Sequence, residues 1–250
     1  MNHPAQLDAG SVAGLQPLRE KPQGGPGKPG GTRLTSMREM GLLAIILVLC
    51  IGMSFASPYF LTWDNIRAML LSFSIEGIVV VGMTILLIVG GIDLSVGSVV
   101  CFAMVVTGKL FLMGFDPWTA GLIAIAASAL IGAMIGGCVV RIGLNHFIAS
   151  LAFMVIVRGL CLALTQGTPQ SLFSLPASFK FIGQGTLLGI PAVILIFLFI
   201  VVVSDFVLRR ASLLRRVFYT GSNEKAALYS GIRVGHVKFW VTVLCAASAG

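Results

Sequence analysis

IEGIVVVGMTILLIVGGIDLSVGS, residues 75–98, carries only two charged side chains, Glu76 and Asp93. The run up to Ile92 is continuous and apolar, and a second such run starts at Ser95. A helix needs about 20 mostly apolar residues to cross a bilayer. The strands of a membrane barrel instead alternate apolar and polar positions, which these runs do not. Two membrane helices therefore meet at Gly90-Gly91-Ile92-Asp93-Leu94-Ser95, with no room for an ordinary loop. Either a tight turn joins them at the membrane edge or one helix is broken within the membrane.

The rest of the chain repeats the pattern. Of its 250 residues, 57% are hydrophobic and 10% charged, and its mean hydropathy is +0.99, which excludes a soluble enzyme built around one buried core. Apolar spans are expected at 40–57, 75–92, 95–115, 118–140, 146–166 and 187–208, with a seventh helix starting near Lys238. The expected fold is an all-α polytopic bundle. Turn and breaker residues separate the spans: the Ser57, Pro58 and Asp64 stretch, Asp116-Pro117, Arg141–Asn145, and a longer polar loop over 167–185. Residues 1–39 hold half of the ten prolines and seven glycines. They read as a disordered tail too long and too rich in breakers for a cleaved leader. Residues 40–208 form the membrane domain, 209–237 a cytoplasmic segment, and 238–250 the start of a further helix, truncated at Gly250.

The formal charge of +8 reflects placement beside the spans and does not point to nucleic acid. With the tail in the cytoplasm, thirteen of the seventeen Lys and Arg residues lie inside and only Arg67 and Lys180 outside, as the positive-inside rule requires. The five cysteines lie singly in apolar runs, and the three histidines, His3, His146 and His236, are scattered. No metal motif is drawn from them. In 118–140, Ser128, Gly132 and Gly136 recur every fourth position. Such a row lets helices approach closely, within the chain or across a dimer.

Ionisable groups inside a membrane are costly and rare. Asp93 and Ser95 have two readings: a cap for the amides that start the next helix, or polar groups of a broken helix lining a transport path. Gly90 and Gly91 permit the backbone that either reading needs. Arg158 lies twelve residues after His146, about 18 Å along a helix. Glu76, backbone carbonyls or a water-filled cavity are its expected partners. Lys109, near the outer surface, snorkels. Residues 220–232, TGSNEKAALYSGI, read as a two-turn helix capped by Ser222 or Asn223 and stopped by Gly231. Its Ala226-Ala227 pair presents little bulk to a neighbour.

Three blocks, in order, carry a resemblance. Gly82-Met83-Thr84 with Gly90–Ser98, then Phe147–Leu151 with Arg158-Gly159 and Thr165-Gln166-Gly167, and finally Gly221, Asn223, Glu224, Ala226, Ala227, Ser230, Gly231 and Ile232, together resemble the ribose/galactose/xylose-type permeases of bacterial ABC importers. The resemblance covers about residues 62–250. Ala211, Leu214-Arg215 and Glu76 depart from the pattern, and similar permeases continue through several more spans. It implies a non-enzymatic inner-membrane subunit, two copies of which (or one with a homologous permease) form the path for a monosaccharide-like solute delivered by a periplasmic binding protein.

The last block then docks on a cytoplasmic ABC ATPase, leaving membrane lipid as the other neighbour. This chain itself holds no cofactor: it has no phosphate-cradling loop with lysine, so ATP belongs to the partner. Gly90, Gly91, Asp93, Ser95 and Arg158 are the candidate path or gate. Gly221, Asn223, Glu224, Ala226, Ala227, Ser230 and Gly231 are the candidate coupling residues. The rival reading is a secondary transporter in which Asp93 and Arg158 couple ion or proton movement.

Overall fold

The structure, a computed structural model, describes residues 32–187 and 189–250. Most of the proline-rich tail, residues 1–31, lies outside the described residues. The chain divides into two units at Leu61 and Thr62. The first contains α1, Thr32–Ala56. This helix begins at Thr32, inside the segment expected as a tail, where no glycine or proline stands between Gly31 and Gly41.

The second unit is helical except for one short ladder. Its elements are α2 (Trp63–Ile88), α3 (Val96–Leu112), α4 (Pro117–Gly137) continued by a π-helical turn (Cys138–Ile142), α5 (His146–Thr165), α6 (Ala177–Gln184), β1 (Thr186–Leu187), β2 (Ile190–Pro191), α7 (Ala192–Arg210), α8 (Ser212–Ser222), α9 (Glu224–Tyr229) and α10 (Val234–Ala249). Among the described residues four helical stretches are long and apolar enough to cross a membrane: Trp63–Ile88, Pro117–Ile142, His146–Thr165 and Ala192–Arg210. Met40–Ala56, Val96–Leu112 and Val234–Ala249 are shorter apolar helices. The protein is a multi-pass, all-α membrane bundle.

Local chemistry sets the boundaries. Asp116 Oδ2 accepts from the amides of Trp118 and Thr119 at 3.0 and 3.3 Å, and Pro117 occupies the first turn of α4, where its missing N–H costs nothing. Asn145 Oδ1 caps α5 from the Phe147 amide at 2.9 Å. Thr62 caps α2, so this helix starts well before the expected Ile75. Asp64 and Arg67, read as loop, sit in its first turns, where polar side chains still reach the membrane surface. The 167–185 loop likewise contains α6, whose Phe179 packs edge-on against Trp118 with centroids 5.5 Å apart. Leu187, Ile190 and Pro191, expected in a span, instead belong to an antiparallel ladder pairing Thr186 with Pro191 and Leu187 with Ile190. Pro191 ends it ahead of α7.

α10 is the central element, packed against both α4 and α2, while α3 lies against α4 and α5, and α7 against α2. It starts at Val234, four residues before the expected point. The small-residue row of α4 faces α10: a Cβ on Gly132 would stand 2.6 Å from Ala246 Cβ and 2.9 Å from the Thr242 carbonyl. Gly136 faces Phe239 in the same way. Of the two readings of that row, packing within the chain is the one observed. Val99, Ile131, Ile135 and Cys161 fill one core cluster, and Ile85, Leu86, Val241 and Cys245 another. Leu122, Leu130, Val155, Leu198 and Phe199 point outward and exposed, which suits hydrocarbon and not water.

Candidate functional site

The junction between α2 and α3 is built from the glycine pair outward. Gly90 has φ +84°, a left-handed conformation that glycine adopts without strain. Its N–H donates to Leu87 O at 2.9 Å and that of Gly91 to Leu86 O at 3.0 Å. This paired pattern is a Schellman close, which satisfies the last carbonyls of α2. Gly91 is buried, and a Cβ there would meet Leu86 Cδ1 at 2.8 Å and His146 Cδ2 at 3.4 Å. Asp93 follows, only 2% exposed. Its Oδ1 accepts from the Ser95 amide at 2.8 Å and the Ser95 hydroxyl at 2.6 Å. Asp93 thus ties down the start of α3, while Ser95, expected as an acceptor, donates its hydroxyl to Asp93. Asp93 Oδ2 is buried and has no hydrogen-bond partner among the described residues.

Two residues outside the candidate set hold this turn. His146 Nδ1 lies 2.9 Å from Ile92 O. A carbonyl only accepts, so Nδ1 carries the hydrogen. On the other side Nε2 meets Thr242 Oγ1 at 3.0 Å, and that hydroxyl is also 2.9 Å from Lys238 O. His146 therefore links the turn to α10. Ser150 Oγ, one helical turn further along α5, accepts from the Leu94 amide at 3.2 Å and donates toward Ile92 O at 3.3 Å. The spacing of His146 and Ser150 on one face of α5 was the signal available in sequence; their target was not.

The candidate coupling segment is the helix pair α8 and α9. Ser222 ends α8, and Asn223 caps α9, its Oδ1 accepting from the Ala226 amide at 3.0 Å. Gly231, at φ +80°, closes α9 with a second Schellman pattern: Gly231 N–H to Leu228 O and Ile232 N–H to Ala227 O, both 3.0 Å. The Ser230 hydroxyl donates to Ala226 O at 2.9 Å. The two alanines separate. Ala227 is 3% exposed and faces the bundle, whereas Ala226 is exposed beside Lys225 and Tyr229. The pair does not present one surface, because consecutive helical residues point about 100° apart. Gly221 seats α8 on the end of α2: a Cβ there would collide with Ile88 O. Glu224 pairs with Lys238 Nζ at 2.8 Å, tying α9 to α10.

These parts share one space. Gly90, Gly91, Asn145, His146, Glu224, Leu228, Gly235 and Lys238 all line a cavity of about 470 Å³, so the glycine turn and the coupling segment occupy the same end of the bundle. Arg158 does not join them. It is exposed on α5, about 18 Å along the axis from His146, and lines a separate 290 Å³ recess with Cys101, Thr165, Thr168 and Gln170. Glu76, proposed as its partner, lines another recess between α2 and α7 beside Phe73, Gly77 and Phe197. The two charges sit on different helix seams and form no ion pair. Asp93 does not line the recess that holds Arg158. Among the described residues no cluster of three His, Cys, Asp or Glu side chains is placed to hold a metal.

Several curated permeases are similar to this chain. The ribose import permease protein RbsC of Bacillus subtilis is 33% identical over 205 residues, 82% of this chain and 64% of its own length. The D-allose transport system permease protein AlsC of Escherichia coli K12 is 33% identical over 216 residues, 84% of this chain and 64% of its own. The L-arabinose ABC transporter permease protein AraH of Azospirillum brasilense is 31% identical over 234 residues, 92% and 68%. The chain thus spans about two thirds of the length of these curated relatives. No solved structure matches it. Residues 65–250, which run from the first turn of α2 through the glycine turn, α5 and the candidate coupling segment to α10, match the family described as the branched-chain amino acid transport system / permease component, and the chain belongs to that permease family.

Proposed function

We propose that the chain is a membrane-spanning permease subunit of an ATP-binding-cassette importer that passes a monosaccharide-like solute. One observation carries the reading. α9 is closed at both ends, held to α10 by Glu224–Lys238, and set across a shared cavity from the Gly90–Ser95 turn. A push on its outer face reaches that turn through α10, Thr242 and His146. The names of the relatives, permeases for ribose, D-allose and L-arabinose, support a sugar as solute.

In this reading Gly90, Gly91, Asp93 and Ser95 form the inner gate, and Arg158 lines the path nearer its outer end. Residues 219–233 dock on a cytoplasmic ATPase, which hydrolyses the ATP. A periplasmic binding protein delivers the solute, and a second permease copy or a homologous permease completes the path. The subunit sits in the inner membrane with its amino terminus in the cytoplasm.

The test uses Ala226→Glu, since Ala226 is exposed and Ala227 is not. Surface substitutions of this kind usually change stability by no more than about 0.5 kcal/mol. The variant is expected to insert and express as the parent does, while losing co-purification of the cognate ATPase and ATP-driven sugar uptake. Unchanged co-purification and uptake would refute the docking role.

A further inference from the structure

We infer that the cleft between α8 and the start of α10 is a binding site for one anionic phospholipid. Arg215, Arg216 and Tyr219 of α8, Arg233 of the α9–α10 link and His236 of α10 surround a basic recess of about 650 Å³. No carboxylate lines it. Among the described residues the ion pairs are Arg209–Asp205 and Lys238–Glu224, so none of these three arginines has an internal counter-charge.

The recess does not end there. Arg216, His236 and Val237 also line a second, largely apolar groove of about 420 Å³, which continues past Leu214, Trp240 and Leu244. Trp240 is 63% and Leu244 45% exposed. From His236 to Leu244 the groove follows α10 for about 12 Å, close to the depth of one hydrocarbon leaflet, about 15 Å. A basic pocket opening into an apolar channel, with a tryptophan in the channel one helical turn past the junction, matches a phosphate headgroup joined to an acyl chain. Free phosphate would leave the groove bare, and an acidic peptide would leave its apolar wall unmatched. α8 suits the position: its inner side buries Val217 against Val241 and Leu86, while Arg215, Arg216 and Tyr219 lie exposed, as in a helix lying at a membrane surface. The inference does not depend on which solute is carried.

Tryptophan quenching by brominated lipid tests it. In the full chain carrying Trp63→Phe and Trp118→Phe, Trp240 is the sole tryptophan. In mixed bilayers, brominated phosphatidylglycerol is expected to quench Trp240 at a far lower mole fraction than brominated phosphatidylcholine. Arg215→Gln with Arg216→Gln should weaken that preference roughly thirty-fold, and Arg215→Lys with Arg216→Lys should keep most of it. Thiol reactivity of the buried Cys245, unchanged in the Gln variant, shows that the fold survives. Equal quenching by the two lipids overturns the inference, as does a preference untouched by the Gln variant. So does loss of the preference on adding inorganic phosphate or an acidic peptide, either of which would make that molecule the occupant.

Discussion

Asp93 offers a quantitative test of how the turn between α2 and α3 is held. Its Oδ1 receives two hydrogen bonds from Ser95, at 2.8 and 2.6 Å, and Ser95 is fully buried. Asp93→Leu removes the acceptor and strands both donors out of reach of water. An unmet buried donor costs about 1 to 3 kcal/mol, so the pair amounts to about 2 to 6 kcal/mol, a large fraction of a typical folding free energy. Asp93→Asn keeps an acceptor oxygen for Ser95 and exchanges the unpartnered Oδ2 for an amide nitrogen. One unmet polar atom replaces another, and the net change should stay within about 1 kcal/mol. The assay is thermal unfolding in mild detergent, followed by labelling of Cys245, which is fully buried, with a thiol-reactive dye. Cys50, exposed in α1, is first replaced by serine to lower the background. The expected order is parent and Asn variant together, with the Leu variant unfolding at a clearly lower temperature. If the Asn variant fell as far as the Leu variant, the carboxyl group itself and not its acceptor role would be what matters; if neither fell, the turn would not depend on Asp93.

Glycine replacements on α4 separate packing from propensity. Gly132→Ala meets backbone atoms of α10 that cannot swing aside and should destabilise by about 1 to 3 kcal/mol. Gly137→Ala meets nothing within 4 Å at helical angles of −62° and −45°, and should stabilise by about 0.4 to 1 kcal/mol in the same unfolding assay. His146→Ala deletes the bonds to Ile92 and Thr242 and should cost about 1 to 3 kcal/mol; sugar uptake per ATP hydrolysed should fall with it, and an unchanged ratio would free His146 from any part in transmission. For topology, Ser174→Cys and Ser222→Cys in a cysteine-free background should label from outside and from inside respectively. Outside labelling at Ser222 would reverse the orientation.

What could be read in the chain depended on whether a signal was local. The fifth apolar span, expected at 146–166 and observed as His146–Thr165, has its cap, Asn145, immediately before it. The Asn223 cap and Gly231 stop of α9 were legible for the same reason. The start of α2 was not, because Asp64, Asn65 and Arg67 carry the polarity of a loop although a membrane helix accepts such residues where it leaves the hydrocarbon. α6 escaped notice because its apolar residues are held by an aromatic contact with α4, not by a span-length run. The division between Ala226 and Ala227 turns on one step of helical rotation, which no pattern of small residues fixes. His146 looked like an isolated side chain, since Thr242 lies far along the sequence. Arg158 drew attention by its cost in a membrane, but cost alone does not say which seam a side chain lines.

The contact of Gly132 and Gly136 with α10 also has a meaning for how the protein is made. α4 emerges from the ribosome about 100 residues ahead of the helix it packs against. At a synthesis rate of about 5 to 20 residues per second, its small-residue face waits some 5 to 20 s beside the translocon with no permanent partner. During that interval any other helix with a smooth face can occupy the place. A ribosome that stalls before residue 234 would release a bundle lacking its central element, with the glycine face of α4 open to another copy.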